Sequence, residues 1–473
     1  MKKKILKAAF LLMIAACAAC AFPMAVSASS ADNANPEAER ASLRYSYENI
    51  PNEETGRLKF ITDGDKETFY KAARDIHLKF TASVPVKSLY FMFEKPCKWK
   101  LTLPDGTVKQ GGENEFMHEY FSLESEVTEF EIDIPQDSWL TDVFAFSDGA
   151  LPDWVQIWQP PCERADLLVL PTHADDEYAW FGGALPYYAG ELGYNVQVVY
   201  LTNHFNNTIR NHELLNALWY VGVRNYPLIT DRFLDTMDTR EDAESVFGRE
   251  NVLEFQVEIL RRFAPRVILA HDINGEYGHA AHILNASTLL DALEIYENPE
   301  IYPESAKKYG IYKIQKCYLH LWPKNTIVVP WGTMLLSKFG GKSSLKVAIK
   351  GLAFHKSQEQ YGIVARDWGK KDCRKFGLAY TTVGPDTNGL NDLFEHVDFN
   401  DSIEIPPEPS EPVSVVSQTD VSSQSITPEN VKKQPRIPVW VIVLAVILVL
   451  VNATALIFAG SLKKQDVKQG KEK

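Results

Sequence analysis

Basic residues are in deficit in this 473-residue chain: 49 Lys and Arg stand against 62 Asp and Glu, a formal net charge of −13. A net acidic surface attracts neither nucleic acid nor an anionic membrane face, so neither is expected as a partner. Cysteine is scarce, with six in all. Cys17 and Cys20 fall in an N-terminal leader. The remaining Cys97, Cys162, Cys317 and Cys373 match no zinc-knuckle spacing and allow three pairings. An exported chain permits disulfides, but nothing in the sequence demands them. The stretch "IPPEPSEPVSVVSQTDVSSQSITPENVKKQP" lacks any helical period. Rich in Pro, Ser, Thr and Val, it cannot bury a core and is expected as an extended stalk over residues 401–436.

What is present suffices for two or three domains, since 45% of the residues are hydrophobic and 11% aromatic. The ends stand outside any globular core. "MKKKILKAAFLLMIAACAACAFPMAVSASS" combines a Lys-rich start, an apolar stretch and the small-x-small triplet Val26, Ser27, Ala28. It predicts a secretory signal over residues 1–28; the run Ile14 to Cys17 also has the look of a lipobox. "IPVWVIVLAVILVLVNATALIFAGSLKK" carries no charge between Arg436 and Lys463. About 20 helical residues cross a hydrocarbon core, so residues 437–462 are expected to span the membrane as one C-terminal helix. Residues 463–473 hold five Lys and are expected as a cytoplasmic tail. The expected localisation is a single-pass cell-membrane protein with its ectodomain outside.

Residues 42–160 show the period of strands. In "EFEIDIP", Phe130, Ile132 and Ile134 alternate with Glu129, Glu131 and Asp133, which gives one dry and one wet face. Gly, Pro, Asp and Asn punctuate the runs, and an antiparallel, jelly-roll-like sandwich is the natural packing. "ITDGDKETFY" with the two runs after it resembles the opening of discoidin-like, galactose-binding sandwich domains. Trp99, Trp139, Trp154 and Trp158 could stack on sugars, although core or interdomain packing is the better use for them. Whether the sandwich binds sugar or only covers its neighbour stays open at this level.

After Pro160 and Pro161 the pattern changes over residues 164–398. "ADLLVL" is a short buried strand, Glu177 to Leu192 is helix-like, and "NVQVVYLT" is a second strand. In "NVLEFQVEILRRF", Val252, Phe255, Ile259 and Phe263 form a helical stripe that Pro265 ends before the strand "RVILAHD". Strand and helix in alternation predict an α/β fold, a Rossmann-like, mostly parallel sheet with helices on both faces. Ligand sites in such sheets lie beyond the carboxyl ends of the strands, where His173 and Asp272 fall.

Two clusters at those ends carry chemistry. In "THADDE", His173 and Asp176 are three apart and can face one way, with Asp175 rotated off that line. In "NGEYGHAAH", His279 and His282 are also three apart at the start of a helix. Two ligands and a free carboxylate from one cluster, with a third ligand from the other, are what a catalytic zinc needs. Either cluster alone is explained as well by helix capping and surface decoration. Together, each after a strand of one sheet, they point to a metal site, and Gly182 and Gly183 allow close packing of the first helix on its strand.

The blocks "HADDEYAWFGG", "VQVVYLTN", "RNHELLNALWYVGV", "NGEYGHAAH" and "AFHKSQ" follow in this order between Asp166 and Gly362. In that order they resemble the LmbE/PIG-L family of metal-dependent N-deacetylases. The resemblance implies zinc held by His173, Asp176 and His282, with iron or cobalt as other ions such a donor set accepts. It implies Asp175 as general base, and Tyr277 and His279 as donors to the oxyanion or to the leaving group. Arg210 would contact substrate, with Asp231 or Asp235 paired to it. The sequence departs from the family pattern at Ala174, where Pro is usual, and at Ala280 and Ala281, where Pro-Asp is usual. Ala281 removes a carboxylate that could have oriented an imidazole.

Other histidines are less informative. His204 and His271 lie at strand ends, where they could line the pocket or serve the fold. His355 is expected at the pocket edge or in a structural role, and His77, His118, His320 and His396 carry no motif. The leading expectation is hydrolysis of the acetamide of an N-acetylated glycan or glycoconjugate. The other classes are a noncatalytic glycan-binding surface protein and a zinc amidase acting on a different amide.

Overall fold

The computed structural model describes residues 36–400 apart from residues 49, 51, 235–239 and 388. The expected leader, stalk, membrane span and tail lie outside those residues, as does Asp235. Among the described residues no helix is long and apolar enough to cross a membrane. The described residues all fall within one compact unit, Met1–Pro407.

The N-terminal region is built of strands β1 (Leu43–Glu48), β2 (Tyr70–Lys71), β3 (Ile76–Phe93), β4 (Trp99–Thr102), β5 (Val108–Gly111), β6 (His118–Ile134) and β7 (Trp139–Phe146). They form one antiparallel sheet in which β3 and β6 carry the others. The register slips between Thr81 and Val86 of β3, and the strand's neighbours change there: β1 pairs with residues 77–82 and β7 with residues 88–93. Phe80 and Phe91, eleven residues apart, would be about 36 Å from each other on a straight strand. Both rings nevertheless pack on Phe130, with centroids at 4.9 and 6.3 Å. The sheet is therefore folded over one apolar core, and the break in register lets it bend. Trp99 is buried in that core, and Trp139 is half-buried and stacks on Phe69 at 4.9 Å.

The tight turn after β5 depends on glycine. Gly112 has φ +73, and a Cβ there would lie 1.7 Å from the Cys97 carbonyl oxygen, a backbone atom that cannot swing away. At Gly106 φ is +86 but nothing lies within 4 Å. Gly112→Ala should therefore cost about 3 kcal/mol against about 1 kcal/mol for Gly106→Ala, read from urea midpoints at equal slopes. Equal losses would show that backbone conformation, and not crowding, sets the requirement.

The second region is an α/β layer. Its sheet runs β10 (Leu228–Ile229), β9 (Val196–Tyr200), β8 (Leu167–Leu170), β11 (Val267–Ala270), β12 (Lys316–His320), β14 (Lys375–Thr381), β13 (Thr326–Val328). The first five strands are parallel, and β14 alone runs antiparallel to both of its neighbours, β12 and β13, so the mostly parallel sheet expected from the sequence is present. All four residues of β8 are buried, as a central strand covered on both faces requires. The helices that bear on the site are α1 (Asp176–Ala179), α2 (Ile209–Tyr220), α3 (Arg249–Phe263), α4 (Ala280–Ile295) and α5 (Ser344–Leu352).

The helix expected over Glu177–Leu192 is broken. It stops after one turn, and Gly182 takes φ +54 before a wide turn resumes at Pro186–Glu191. The two glycines make room for Trp331 and Ser344 rather than for their own strand: a Cβ would stand 2.8 Å from Trp331 at Gly182 and 2.3 Å from Ser344 Oγ at Gly183.

The two regions share a buried interface. Phe116 stacks on Tyr226 at 4.4 Å, Tyr226 Oη accepts from the Met117 amide, and Trp158 packs on Trp219 and Tyr226. His118, which carried no motif, has its Nε2 2.7 Å from His212 Nδ1, and His212 Nε2 is 3.1 Å from Glu94 Oε1. Burial opposes the charge of Glu94, but His212 and two hydroxyls outweigh it and hold the carboxyl below its ordinary range. A fully buried polar chain of this kind ties the sandwich to α2, the helix whose first turn carries Arg210.

Candidate active site

His173 lies three residues beyond β8, and His282 lies in the first turn of α4, which follows β11. Parallel neighbours in the sheet, β8 and β11 deliver both side chains to the same end, although 109 residues separate them. His173 Nδ1, His282 Nε2 and Asp176 Oδ2 form a triangle with sides of 3.0, 3.1 and 3.3 Å. Ligand atoms of a tetrahedral centre with bonds of about 2.0–2.1 Å stand about 3.3 Å apart, so this triangle fits a small divalent ion. Two further combinations come close enough to hold one: His173, His279 and His282, and Asp176, His271 and His282, with ligand atoms within 4.8 Å. The triangle of His173, Asp176 and His282 is the set expected from the sequence, two imidazoles and a carboxylate.

The protonation states suit ligation. Burial lowers the His282 ring to about 3, Asp176 offsetting only part of the effect, so the imidazole is neutral. Asp176 accepts from the His173 amide at 2.7 Å and from Trp180 Nε1 at 2.8 Å, bonds that favour the ionised carboxylate and fix its rotation. Ala281 contributes nothing polar here, and His282 Nδ1 is buried without a hydrogen-bond partner.

Asp175 stands apart from the triangle. It sits at φ 114, a left-handed backbone that costs a non-glycine residue about 1–3 kcal/mol, and its amide donates to Glu177 Oε2 at 2.9 Å. Its Oδ2 is buried with no hydrogen-bond partner. Burial, and then the charge of Asp176, push the carboxyl up to about 7. Glu177 in turn lies 3.3 Å from His355 Nε2, which places the "AFHKSQ" histidine beneath the base and not in the cavity lining.

A cavity of about 710 Å³ opens on these groups and is lined by His173, Asp175, Asp176, Arg210, Tyr277 and His279. Seven of the eight residues expected at the site are therefore gathered in one place, His282 lying fully buried against His173. Asp231 is not among them: it is exposed and borders a separate cavity beside Lys95 and Arg232. Arg210 instead donates Nη2 to the Ala174 carbonyl at 3.0 Å. Of the strand-end histidines, His204 accepts the Ala174 amide at 3.1 Å and thereby supports the loop that carries Asp175.

Several site residues carried no signal in the sequence. Trp180, Arg366 and Lys371 line the same cavity. Behind the triangle, His271 Nε2 accepts the Thr172 amide, so its Nδ1 holds the proton that it donates to Glu276 Oε1 at 3.1 Å. His320 Nδ1 is 2.7 Å from Glu276 Oε2 and its Nε2 is 3.0 Å from the Asp372 carbonyl. Both nitrogens of His320 thus face oxygen atoms of the protein. Glu276 inside "NGEYGH" and His320 at the end of "KCYLH" were the available hints.

Residues 167–293 match the family model described as PIG-L, GlcNAc-PI de-N-acetylase. That segment is shorter than the stretch over which the sequence blocks run. The chain is 26% identical over 210 residues to 1D-myo-inositol 2-acetamido-2-deoxy-alpha-D-glucopyranoside deacetylase 1 of Catenulispora acidiphila, a match covering 39% of this chain and 63% of the relative. To deacetylase 2 of the same description from Saccharopolyspora erythraea it is 29% identical over 173 residues, covering 31% of this chain and again 63% of the relative. The chain thus spans less than two thirds of the length of these curated relatives. Among solved structures, N,N'-diacetylchitobiose deacetylase from Pyrococcus horikoshii aligns at 19% identity with a TM-score of 0.33, over 43% of this chain and 74% of that one. The segment that is similar to the PIG-L de-N-acetylase family begins on the strand that delivers His173 and ends in the helix that carries His282.

Proposed function

We propose that this chain is a zinc-dependent hydrolase that removes the acetyl group from an N-acetylated amino sugar of a glycan or glycoconjugate. The observation that carries the reading is the Asp175 carboxylate, whose Oδ2 is buried without a partner at the wall of a cavity and next to a donor triangle sized for a divalent ion. The relatives support the bond that is cut, since both are described as deacetylases of an acetamido sugar.

His173, Asp176 and His282 would hold the ion, which supplies Lewis-acid polarisation and lowers the pKa of a water. The residues themselves do the rest. Asp175 takes a proton from water at Oδ2 and returns it to the departing nitrogen, so that amide and water leave as amine and acetate. Tyr277 and His279, at the cavity wall, donate to the oxyanion that develops on the carbonyl oxygen. Arg210 orients the sugar. Trp180 keeps Asp176 from rotating toward the substrate.

Elemental analysis of the purified protein, beside acetate release from N-acetylglucosamine oligomers, tests the reading. About one zinc per chain is expected, with both zinc and acetate release lost in His282→Ala. Protein that takes up no metal when zinc is supplied would instead be a noncatalytic binding module. We further propose that the reaction occurs outside the cell on a chain anchored by residues 437–462. Protease added to intact cells should then remove the ectodomain, and full protection would refute that placement.

A further inference from the structure

The cavity beside Asp175 is also lined by cations that the deacetylation does not use. We propose that it is shaped for an acetamido sugar that also carries an anionic group, a phosphate ester or a carboxylate, held by Arg366 and Lys371 together with Arg210. This rests on the deacetylase reading above and narrows its substrate.

Charge distribution is the first argument. The chain as a whole is acidic, at −13, yet apart from Asp175 and Asp176 the charged side chains lining this cavity are Arg210, Arg366 and Lys371. Asp176 is already committed to the donor triangle. An acidic protein that gathers three cations around one pocket presents a local field opposite to its own, and a site of that kind draws an anion.

The second argument is the absence of carboxylate partners for Arg366 and Lys371 among the described residues. Arg366 and Lys371 are half-buried, and among the described residues no carboxylate lies within ion-pair distance of either. The nearby Asp372 is engaged by Arg374 at 2.9 Å and by Lys375 at 3.9 Å, not by Lys371. Arg210 spends one donor on the Ala174 carbonyl, while its Nε is buried without a partner. A guanidinium has five donors in a planar fork that matches two oxygens of a phosphate or carboxylate.

The third argument is position. Lys371 Nζ lies 5.2 Å from the Tyr277 ring centre and 5.7 Å from that of Trp180. Trp180 is the residue bonded to Asp176, so the ammonium stands one ring away from the donor triangle. Tyr277 is 52% exposed, so part of its ring is accessible to a sugar in the cavity. Lys371 and the His282 ring of the triangle thus both pack on Tyr277, the His282 ring centroid lying 5.5 Å from that of Tyr277. Arg366 and Lys371 lie beyond residues 167–293, so the family match carries no information about them.

Calorimetric titration of the full-length, zinc-loaded protein with N-acetylglucosamine, N-acetylglucosamine 1-phosphate and N-acetylmuramic acid tests the proposal. One of the two anionic sugars should bind roughly tenfold tighter than the neutral one, and its identity separates phosphate from carboxylate. In the double variant R366Q/K371Q that ratio should fall to about two or below, and in Lys371→Met, which keeps its packing on the two rings, it should fall partway. Equal binding of all three sugars by the parent protein, or a ratio that survives in both variants, would overturn it. Anion preference without acetate release from any sugar leaves the anion site standing and removes the deacetylase reading. Acetate release from the neutral sugar with no anion preference does the reverse.

Discussion

Asp175→Asn should lower acetate release by roughly 10²–10⁴-fold while leaving one zinc bound per chain. The substitution keeps the shape of the side chain and removes only the basic oxygen. Asparagine tolerates the left-handed backbone that this position needs, at φ 114, so the loop should hold its form. The hydrogen bond that the backbone amide of position 175 donates to Glu177 Oε2 does not involve the substituted side chain and is unaffected. If Asp175 merely fixed the loop, the asparagine variant would turn over within a few-fold of the parent. Metal content read on the same samples separates a lost base from a lost ligand, since the triangle of His173, Asp176 and His282 does not include this residue.

Glu276→Gln should cost about 3–5 kcal/mol of stability, the scale for breaking a buried ion pair from one side. Glu276 and His320 have fully buried side chains and lie 2.7 Å apart. The same carboxylate accepts from His271 and from the Asp272 amide, so one side chain joins the ends of β11 and β12 and, through His320, the carbonyl of Asp372. Glutamine offers one acceptor oxygen in place of two and carries no charge. Burial opposes ionisation of Glu276, but His320 and His271 outweigh it and hold the carboxyl far below its usual range. A carboxyl depressed in the folded state stabilises it above the unfolded value, near 4.3, and that contribution disappears as pH falls below it. The parent protein should therefore lose stability on acidification below about pH 4 more steeply than the glutamine variant. Urea midpoints measured between pH 3 and 7 would show this, and parallel curves would argue that the pair is not ionised.

Much of this site was legible beforehand, and for a local reason. His173 and Asp176, or His279 and His282, are three residues apart at the start of a helix, and the period of the backbone alone puts such pairs on one side. The alternation of Phe130, Ile132 and Ile134 likewise marked a strand without reference to anything distant. Where the local reading failed, a distant group had intervened. The helix from Glu177 to Leu192 breaks because Trp331 and Ser344 press against Gly182 and Gly183, more than 140 residues away in the chain. The family resemblance implied Asp231 as a partner for Arg210, but Asp231 borders another cavity, and Arg210 donates to a backbone carbonyl instead.

The sequence by itself determined the chemical inventory: an acidic chain, a run of strands followed by alternating strands and helices, and two His- and Asp-bearing turns at strand ends. Tertiary structure decided which nitrogens meet, because the parallel pairing of β8 with β11 brings His173 and His282 to 3.0 Å across 109 residues. It also decided that Glu276 finds His320 across 44 residues and that Arg366 and Lys371 face the same cavity as Asp175. The physical reason is range. Periodicity and turn chemistry act over a few residues and leave a trace in the sequence, whereas charge pairing and cavity shape come from sheet order and packing, which no short window contains.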